Sequence, residues 1–295
     1  MGLAAETTKR KSGKMEVASS QTPTFGGNPG NFRRQMSVTL TGVFVRIARS
    51  MCRGAFREGV HAGIADLCNV GNQWFCRGAN PRFCCSCCGQ AAYAFVHLSN
   101  RLRIAWHSAC PVCDSRSRHR GLALLVPKIL GGSTVRQRVL HFAPEVVLRK
   151  VLLTLPDVEY RTTDLFVKDV DYPGENIEAL SFRDGSFDVA LCNHVLEHVA
   201  NDEAAMAELA RILTPAGVAV ITIPGDWSRQ ATITFANTDL NGHYRDYGMD
   251  VKDRFQRYFR AVEMFDLHQL DPAPNGLSYG IRSNDLAFIC RQPCS

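Results

Sequence analysis

From about residue 139 onward, short apolar runs alternate with helical stretches, and this pattern constrains the fold more than any other feature. The runs VLHFA, VEYRTTD, FDVALCN, VAVITIP and LAFICR are rich in β-branched residues and are bounded by turns, as strands are. Between them, EVVLRKVLLTL and DEAAMAELARIL have the apolar spacing of helices. The alternation predicts an α/β fold whose doubly wound, mostly parallel sheet carries helices on both faces.

In such a sheet, ligands bind beyond the carboxyl ends of the strands, where the strand order reverses. The residues that follow each predicted strand are therefore the candidate site. His141, Ala143 and Glu145 follow the first strand. Asp164 ends the second strand about 20 residues later, a distance that suits a carboxylate accepting hydrogen bonds from ribose hydroxyls. An isolated Asp at a strand end is also a common turn residue, so this position needs support from the segments that follow.

Residues 176–224, NIEALSFRDGSFDVALCNHVLEHVANDEAAMAELARILTPAGVAVITIP, resemble the core of class I methyltransferases of the type 11 kind. The resemblance extends over roughly residues 136–293. It implies a Rossmann-like seven-stranded sheet and S-adenosylmethionine as the methyl donor. It also implies a set of cofactor contacts, with Asp164 at the ribose, Asn176 and Ile177 at the adenine, and Asn193 and His194 under the methionine part, beside His141, Ala143 and Glu145.

The first loop departs from the family pattern. That loop is usually glycine-rich because the backbone approaches the cofactor closely, whereas Ala143, Pro144 and Glu145 occupy it here. Two hypotheses follow: an S-adenosylmethionine-dependent methyltransferase, or a non-catalytic nucleic-acid or protein adaptor that keeps a degenerate methyltransferase fold. The methyl acceptor is not encoded in any motif. The resemblance slightly favours a small molecule or a glycan.

Methyl transfer from a sulfonium needs a general base only when the acceptor must lose a proton early. The catalytic residue is therefore unknown, and His194 and His243 are the candidates. His243, Tyr244 and Arg245 are predicted to form a wall on the substrate side, and His194 to line the cofactor site. The string His194-Val195-Leu196-Glu197-His198 also satisfies the HxxEH pattern of a zinc peptidase family, which requires both histidines on one helical face.

Cysteines form two pairs of zinc-ligand spacing. Cys85 and Cys88 precede Gly89, and Cys110 and Cys113 follow about twenty residues later, a pattern typical of a structural four-thiolate zinc site. Cys84 and Cys87 offer another register, but only the first register places Gly89 after the second ligand. LHFAPE and the upstream CPVCDSRSRHR together resemble a methyltransferase subgroup with an N-terminal cysteine-rich module. This module is expected to cap the substrate cleft or to contact nucleic acid through its arginines.

The sequence thus predicts four segments. Residues 1–35 form a disordered basic tail, 36–80 a helical segment, 81–130 a zinc-ribbon-like module and 131–295 a class I methyltransferase domain. Residues 1–130 carry a net charge of about +13 and residues 131–295 about −7, so nucleic acid is a possible partner of the front half. Neither a secretory signal nor an apolar run long enough to cross a bilayer is recognisable, which predicts a cytoplasmic protein.

Overall fold

The computed structural model describes residues 56–76, 78–99, 104–131, 135–239, 241–273 and 275–294. The predicted basic tail and the predicted helical segment as far as residue 55 lie outside the described residues. In chain order the elements are α1 (Phe56–Phe75), β1 (Phe83–Cys84), β2 (Ala91–Ala92), β3 (Val96–Ser99), β4 (Ile104–Ala109), α2 (Ser117–Leu130), β5 (Gln137–Phe142), α3 (Val146–Leu152), β6 (Val158–Asp164), β7 (Tyr172–Pro173), β8 (Phe187–Asn193), α4 (Asp202–Arg211), β9 (Leu213–Thr222), β10 (Ile233–Thr234), β11 (Arg245–Asp246), α5 (Val251–Phe255), β12 (Phe259–Asp266) and β13 (Leu286–Pro293). Two 3₁₀ turns, Leu196–His198 and Leu267–Leu270, complete the described elements.

Seven strands form one sheet in the order β7-β6-β5-β8-β9-β13-β12. The pairs from β7 to β9 are parallel, whereas β13 runs antiparallel to both β9 and β12. The sheet confirms the predicted Rossmann-like methyltransferase fold. The strand order reverses between β5 and β8, so a ligand site is expected beyond the carboxyl ends of these two strands.

Alternating side chains of the central strands supply two separate cores, since successive residues of a strand point to opposite faces. Ala190 and Cys192 of β8 belong to the core under α4 and α5. Val189 and Leu191 of the same strand belong to the core under α2 and α3. Helices therefore cover both faces, and the carboxyl edge of the sheet remains for the polar residues of the site.

Helix α2 packs on the sheet although it precedes residue 131, the predicted start of the methyltransferase domain. Leu122, Leu125 and Val126 share a core with Val189 of β8. The packing is close, because a Cβ placed on Gly121 would lie 2.7 Å from the Cβ of Leu267. The domain boundary remains a prediction, and this packing favours one before Ser117.

Two hairpins, β1-β2 and β3-β4, form the cysteine-rich region. Its strand β1 docks on the segment before β13, where the Cys84 amide donates to the Ser278 carbonyl at 2.9 Å and the Ser278 amide donates to the Arg82 carbonyl at 3.0 Å. Helix α1 packs beside β3, and the Asn69 side chain exchanges two hydrogen bonds with the His97 backbone at 2.9 and 2.8 Å.

Within the described residues, the helices are either too short or too polar to cross a membrane.

Candidate functional site

A polar cluster occupies the point where the strand order reverses. His141 is the last residue but one of β5 and is fully buried, and its Nδ1 lies 2.9 Å from the Tyr160 hydroxyl of β6. Its Nε2 lies 2.9 Å from Oε2 of Glu145 and 3.3 Å from Nδ2 of Asn193, which ends β8. The His141 imidazole thus contacts side chains of the two neighbouring strands β6 and β8, and that of Glu145 in the loop after β5. Three of them, His141, Glu145 and Asn193, are among the predicted cofactor contacts.

Glu145 is held as a carboxylate. Burial raises the pKa of this group, but the hydrogen bond with His141 and the charges of His141 and His119 outweigh burial, so the pKa is lowered overall. His119 lies with Nε2 3.6 Å from Oε1 of Glu145. Burial and the charge of Arg118 lower the pKa of His119 to about 4, so this imidazole is neutral at pH 7. The imidazole of His119 therefore does not neutralise Glu145, whose charge instead interacts with the guanidinium of Arg118.

The first loop has the backbone geometry that glycine usually provides. Ala143 has φ 46°, in the left-handed region, and its amide donates to the Thr163 carbonyl at 2.9 Å. The methyl group of Ala143 is exposed rather than packed beneath the loop. The departure in residue type has not changed the course of the chain.

Asp164 lies at the carboxyl end of β6, as predicted. Its Oδ1 accepts hydrogen bonds from the amides of Phe166 at 2.7 Å and Val167 at 2.8 Å. Both bonds go to the same oxygen, so Oδ2 is available to a further donor. The carboxylate therefore has a turn-forming role that does not exclude a ribose contact.

The two predicted adenine contacts differ in exposure. Asn176 is exposed, and its Oδ1 accepts from the Glu178 amide at 3.0 Å. Ile177 is 6% exposed and belongs to the core under α4, so its side chain faces away from solvent. Only the backbone of Ile177 can meet a ligand in this conformation.

His194 begins the turn after β8 with φ 52°, and its amide donates to the Thr222 carbonyl of β9 at 2.7 Å. Its Nδ1 lies 3.0 Å from Oε1 of Glu197. The turn from Leu196 to His198 is a single 3₁₀ turn. Because His194 lies outside that turn in a left-handed conformation, the HxxEH string does not form the helix that the peptidase arrangement requires.

The predicted substrate wall divides into two parts. His243 and Tyr244 are half-buried, whereas Arg245 is 4% exposed. The Arg245 guanidinium donates to the carbonyls of Leu196 at 3.1 Å and Val199 at 2.7 Å. Arg245 therefore holds the turn after β8 in place and is not positioned to contact an acceptor, which corrects its predicted role.

A cavity of about 750 Å³ opens beyond the carboxyl ends of β8 and β9. Its lining combines cationic, acidic and aromatic side chains, including Arg118, His194, Asp226, Trp227 and Asp285. Burial lowers the pKa of Arg118, although Glu145, Asp285 and Glu197 act in the opposite direction. The volume is in the range of small-molecule sites in proteins. Neither Trp227 nor Arg118 was predicted, because each reaches the cavity through contacts distant in sequence.

The four predicted zinc ligands converge. The Sγ atoms of Cys85, Cys88, Cys110 and Cys113 all lie within 4.8 Å of one another. Gly89 has φ 69°, and its amide donates to the Cys85 carbonyl at 2.7 Å, which is the tight turn expected after the second ligand. Cys84 lies outside the group, and its thiol donates to the Gly89 carbonyl at 3.8 Å. The geometry selects the register of Cys85 and Cys88 over that of Cys84 and Cys87.

The donor set also fits zinc. Cys85 and Cys110 are buried, and hydrogen bonds with Cys110 and Cys113 lower the pKa of the Cys85 thiol. Four sulfur atoms at these separations match a tetrahedral site with Zn–S bonds of about 2.3 Å.

A seven-stranded sheet of this order, with a polar cluster at its switch point, defines the class I methyltransferase fold. Residues 152–221 match the family described as "Methyltransferase domain". An uncharacterized 37.1 kDa protein in transposon TN4556 of Streptomyces fradiae is 37% identical over 82 residues, which are 28% of this chain and 22% of that protein. The chain thus matches about a fifth of the length of that curated relative.

Two solved structures are among those to which this chain is similar. The Burkholderia thailandensis 1,6-didemethyltoxoflavin-N1-methyltransferase, solved with 1,6-didemethyltoxoflavin and S-adenosylhomocysteine, is 17% identical with a TM-score of 0.44, over 59% of this chain and 78% of that one. The PH0226 protein from Pyrococcus horikoshii OT3 is 17% identical with a TM-score of 0.41, over 60% of this chain and 91% of that one.

Proposed function

We propose that this protein transfers a methyl group from S-adenosylmethionine to a small-molecule or glycan acceptor. The observation that carries the proposal is the polar cluster of His141, Glu145 and Asn193 at the switch point of a methyltransferase sheet. A cavity of about 750 Å³ beside that cluster supports an acceptor of small-molecule size.

The residues at the carboxyl edge fit an adenosyl group. The left-handed backbone at Ala143 leaves the loop open for a close approach. Oδ2 of Asp164 is free of the turn bonds that Oδ1 accepts, so it would receive the ribose hydroxyls. Glu145, Asn193 and His194 would surround the methionine part, and the loop of Asn176 and Ile177 would border the adenine.

S-adenosylmethionine supplies an electrophilic methyl group on a sulfonium when it is bound. The chain's own residues then need to hold the acceptor in line with that group, and positioning of this kind accounts for about 7–11 kcal/mol of a barrier. Glu145, with its lowered pKa, supplies a negative charge near the sulfonium end of the site. His194 and His243 remain the candidates for removing a proton from the acceptor.

We also propose a structural zinc ion on Cys85, Cys88, Cys110 and Cys113. A four-thiolate site has no open coordination position, so the ion would stabilise the cysteine-rich region rather than act on substrate. Because the thiols must be reduced, the proposal places the protein in a reducing compartment such as the cytoplasm. The cysteine-rich region contacts the segment before β13, and this position supports a cap over the cleft.

Calorimetry with S-adenosylmethionine and its demethylated product tests the cofactor site. Asp164→Asn keeps the Oδ1 acceptor for the turn but removes the charge that would hold the ribose, so we expect saturable binding by the wild type and at least tenfold weaker binding by the variant. Asp157→Asn is the matched control, because Asp157 precedes β6 at the opposite edge of the sheet. An absence of binding by the wild type would favour the adaptor hypothesis instead.

A further inference from the structure

One carboxylate and two imidazoles meet at the carboxyl end of β8. Glu197 and His198 come from the 3₁₀ turn after β8, and His243 comes from the segment before β11. The ligand atoms of these three side chains all lie within 4.8 Å of one another. The cluster lies outside the predicted cofactor contacts and is separate from the four cysteines.

Glu197 is the unusual member of the cluster. The residue is 0% exposed, and neither carboxylate oxygen accepts a hydrogen bond from the part of the chain that the structure describes. The Nδ1 atom of His194 lies 3.0 Å from Oε1 without hydrogen-bond geometry. Buried carboxylates in proteins are paired, hydrogen-bonded or bound to a metal ion. Glu197 has an ion-pair contact with His194, which carries charge only when that imidazole is protonated, and it accepts no hydrogen bond from the described residues.

Both imidazoles present a nitrogen suited to metal binding. Nδ1 of His198 lies 3.2 Å from the Gly242 carbonyl, and Nδ1 of His243 lies 3.4 Å from Oδ2 of Asp239. With Nδ1–H of His198 donating to the Gly242 carbonyl, Nε2 of that ring carries the free lone pair, and the Asp239 carboxylate lies close enough to Nδ1 of His243 to favour a proton on that nitrogen. Metal-binding histidines are oriented in this way, through a backbone carbonyl or a carboxylate on the other ring nitrogen.

The two segments that carry the ligands are fastened to each other. The Tyr244 amide donates to the Glu197 carbonyl at 2.7 Å. The buried Arg245 guanidinium donates to the carbonyls of Leu196 and Val199 on either side of the turn. The relative position of Glu197 and His243 is therefore set by the fold before any ion binds, as a metal site requires.

We propose that Glu197, His198 and His243 bind one divalent first-row transition ion on the acceptor side of the site. Two imidazoles and one carboxylate form an N/O donor set that such ions accept, and three protein ligands leave coordination positions open. Resting on the proposed function, we further infer that the acceptor atom is a hydroxyl oxygen. An ion at this place would lower the pKa of that hydroxyl. His243 would then act as a metal ligand, which leaves His194 as the candidate general base.

The reaction is balanced without an oxidant or a reductant. The acceptor O–H gives its proton to water, the oxygen forms a bond to the methyl carbon, and the S–CH₃ bond breaks with its electron pair left on sulfur. The products are a methyl ether, S-adenosylhomocysteine and one proton.

The test uses the full chain loaded with one equivalent of Zn²⁺, so that the four cysteines are occupied, and titrates it with Mn²⁺ under electron paramagnetic resonance. Mn²⁺ favours oxygen and nitrogen ligands over thiolates. We expect one Mn²⁺ per chain, and at least tenfold weaker binding by Glu197→Gln, His198→Ala and His243→Ala. Glu263→Gln and His268→Ala are the matched controls, because both residues are exposed and lie outside the cluster.

Wild-type protein that binds no stoichiometric Mn²⁺, or three variants that bind it as the wild type does, would overturn the proposal. Circular dichroism establishes whether Glu197→Gln folds, and the exposed His198 provides a variant that leaves the core intact if it does not. Calorimetry with S-adenosylmethionine in the absence of Mn²⁺ separates the two ideas. Donor binding without Mn²⁺ binding refutes the metal site alone, whereas Mn²⁺ binding without donor binding refutes the proposed function and retains the site.

Discussion

Arg120 joins the cysteine-rich region to the methyltransferase sheet, and its replacement tests whether the two unfold together. The residue is 0% exposed. Its guanidinium donates to the carbonyls of Tyr279 at 2.6 Å and Gly280 at 2.7 Å on the sheet side, and to the carbonyl of Ser115 on the cysteine side. The same group lies 4.3 Å from the centre of the Phe95 ring. One side chain thus satisfies acceptors from both regions.

The expected loss in the free energy of unfolding follows from the interactions that Arg120→Met removes. Methionine replaces most of the apolar stem, but the carbonyls of Tyr279 and Gly280 lose their side-chain donor, at about 1–3 kcal/mol each, whereas the Ser115 carbonyl keeps the Cys110 amide as a donor. The lost cation–π contact adds about 0.5–2 kcal/mol. Part of this sum is offset because the guanidinium no longer has to be desolvated. We expect the free energy of unfolding to fall by about 3–5 kcal/mol, a large share of the roughly 5–15 kcal/mol that stabilises a typical domain.

Urea unfolding followed by far-ultraviolet circular dichroism, with zinc release measured in the same samples by a chromogenic chelator, checks this. In the wild type both signals should change at one urea concentration, and in Arg120→Met the zinc should leave first. Arg138→Met is the control, because this half-exposed arginine pairs with Asp188 at 3.1 Å and such pairs contribute about 0–1 kcal/mol. A loss below about 1 kcal/mol in Arg120→Met, equal to that of the control, would refute the reasoning.

Three further predictions concern the cysteines, pH and the backbone. Cys110→Ser should abolish zinc retention and lower the melting temperature, whereas Cys84→Ser should retain one zinc per chain by elemental analysis; equal retention would contradict the assigned register. Burial and the charge of His107 lower the pKa of His97 to about 4, below its unfolded value of about 6.5. The free energy of unfolding should therefore fall as the pH drops from about 6.5 towards 4, because the unfolded chain takes up the proton first. Urea titrations at several pH values should show that His97→Gln weakens this dependence of stability on pH. Gly280→Ala should lower the free energy of unfolding by about 2–4 kcal/mol, because the position has φ +64° and an added Cβ would lie 2.7 Å from an aromatic ring, whereas Gly276→Ala, at φ +77° in open space, should cost only about 1 kcal/mol in the same urea assay.

The strands that are clearest in the sequence are those with both faces buried, such as β8 and most of β9. Six of the seven residues of β8 are buried, so its continuous apolar run was visible without any knowledge of the fold. Strand β12 was missed for the opposite reason, because it is an edge strand whose middle is exposed. The apolar residues of VKDRFQRYF have helical spacing as far as Phe259, yet α5 ends at Phe255 and Phe259 is buried as the first residue of β12.

The polar contacts of the site were harder to predict than the residues that make them. Position at a strand end sufficed to select His141, because the carboxyl ends of parallel strands meet at one edge, whereas Asn193 was selected by the family resemblance. The sequence could not show that the imidazole of His141 contacts both Tyr160 and Asn193, since these residues lie 19 and 52 positions away along the chain. Nor could it show that Arg245 is buried, since that follows from its bonds to the turn after β8.

Ala143 shows how a residue-level departure can leave a backbone unchanged. A glycine-rich loop is favoured at this place because left-handed residues and close backbone approach are costly for other residue types. Ala143 nevertheless has φ 46°, at a cost of about 1–2 kcal/mol. Ala143 directly follows β5, a central strand of the sheet, and its amide donates to the Thr163 carbonyl of the neighbouring strand β6. The surrounding structure is therefore able to impose that conformation.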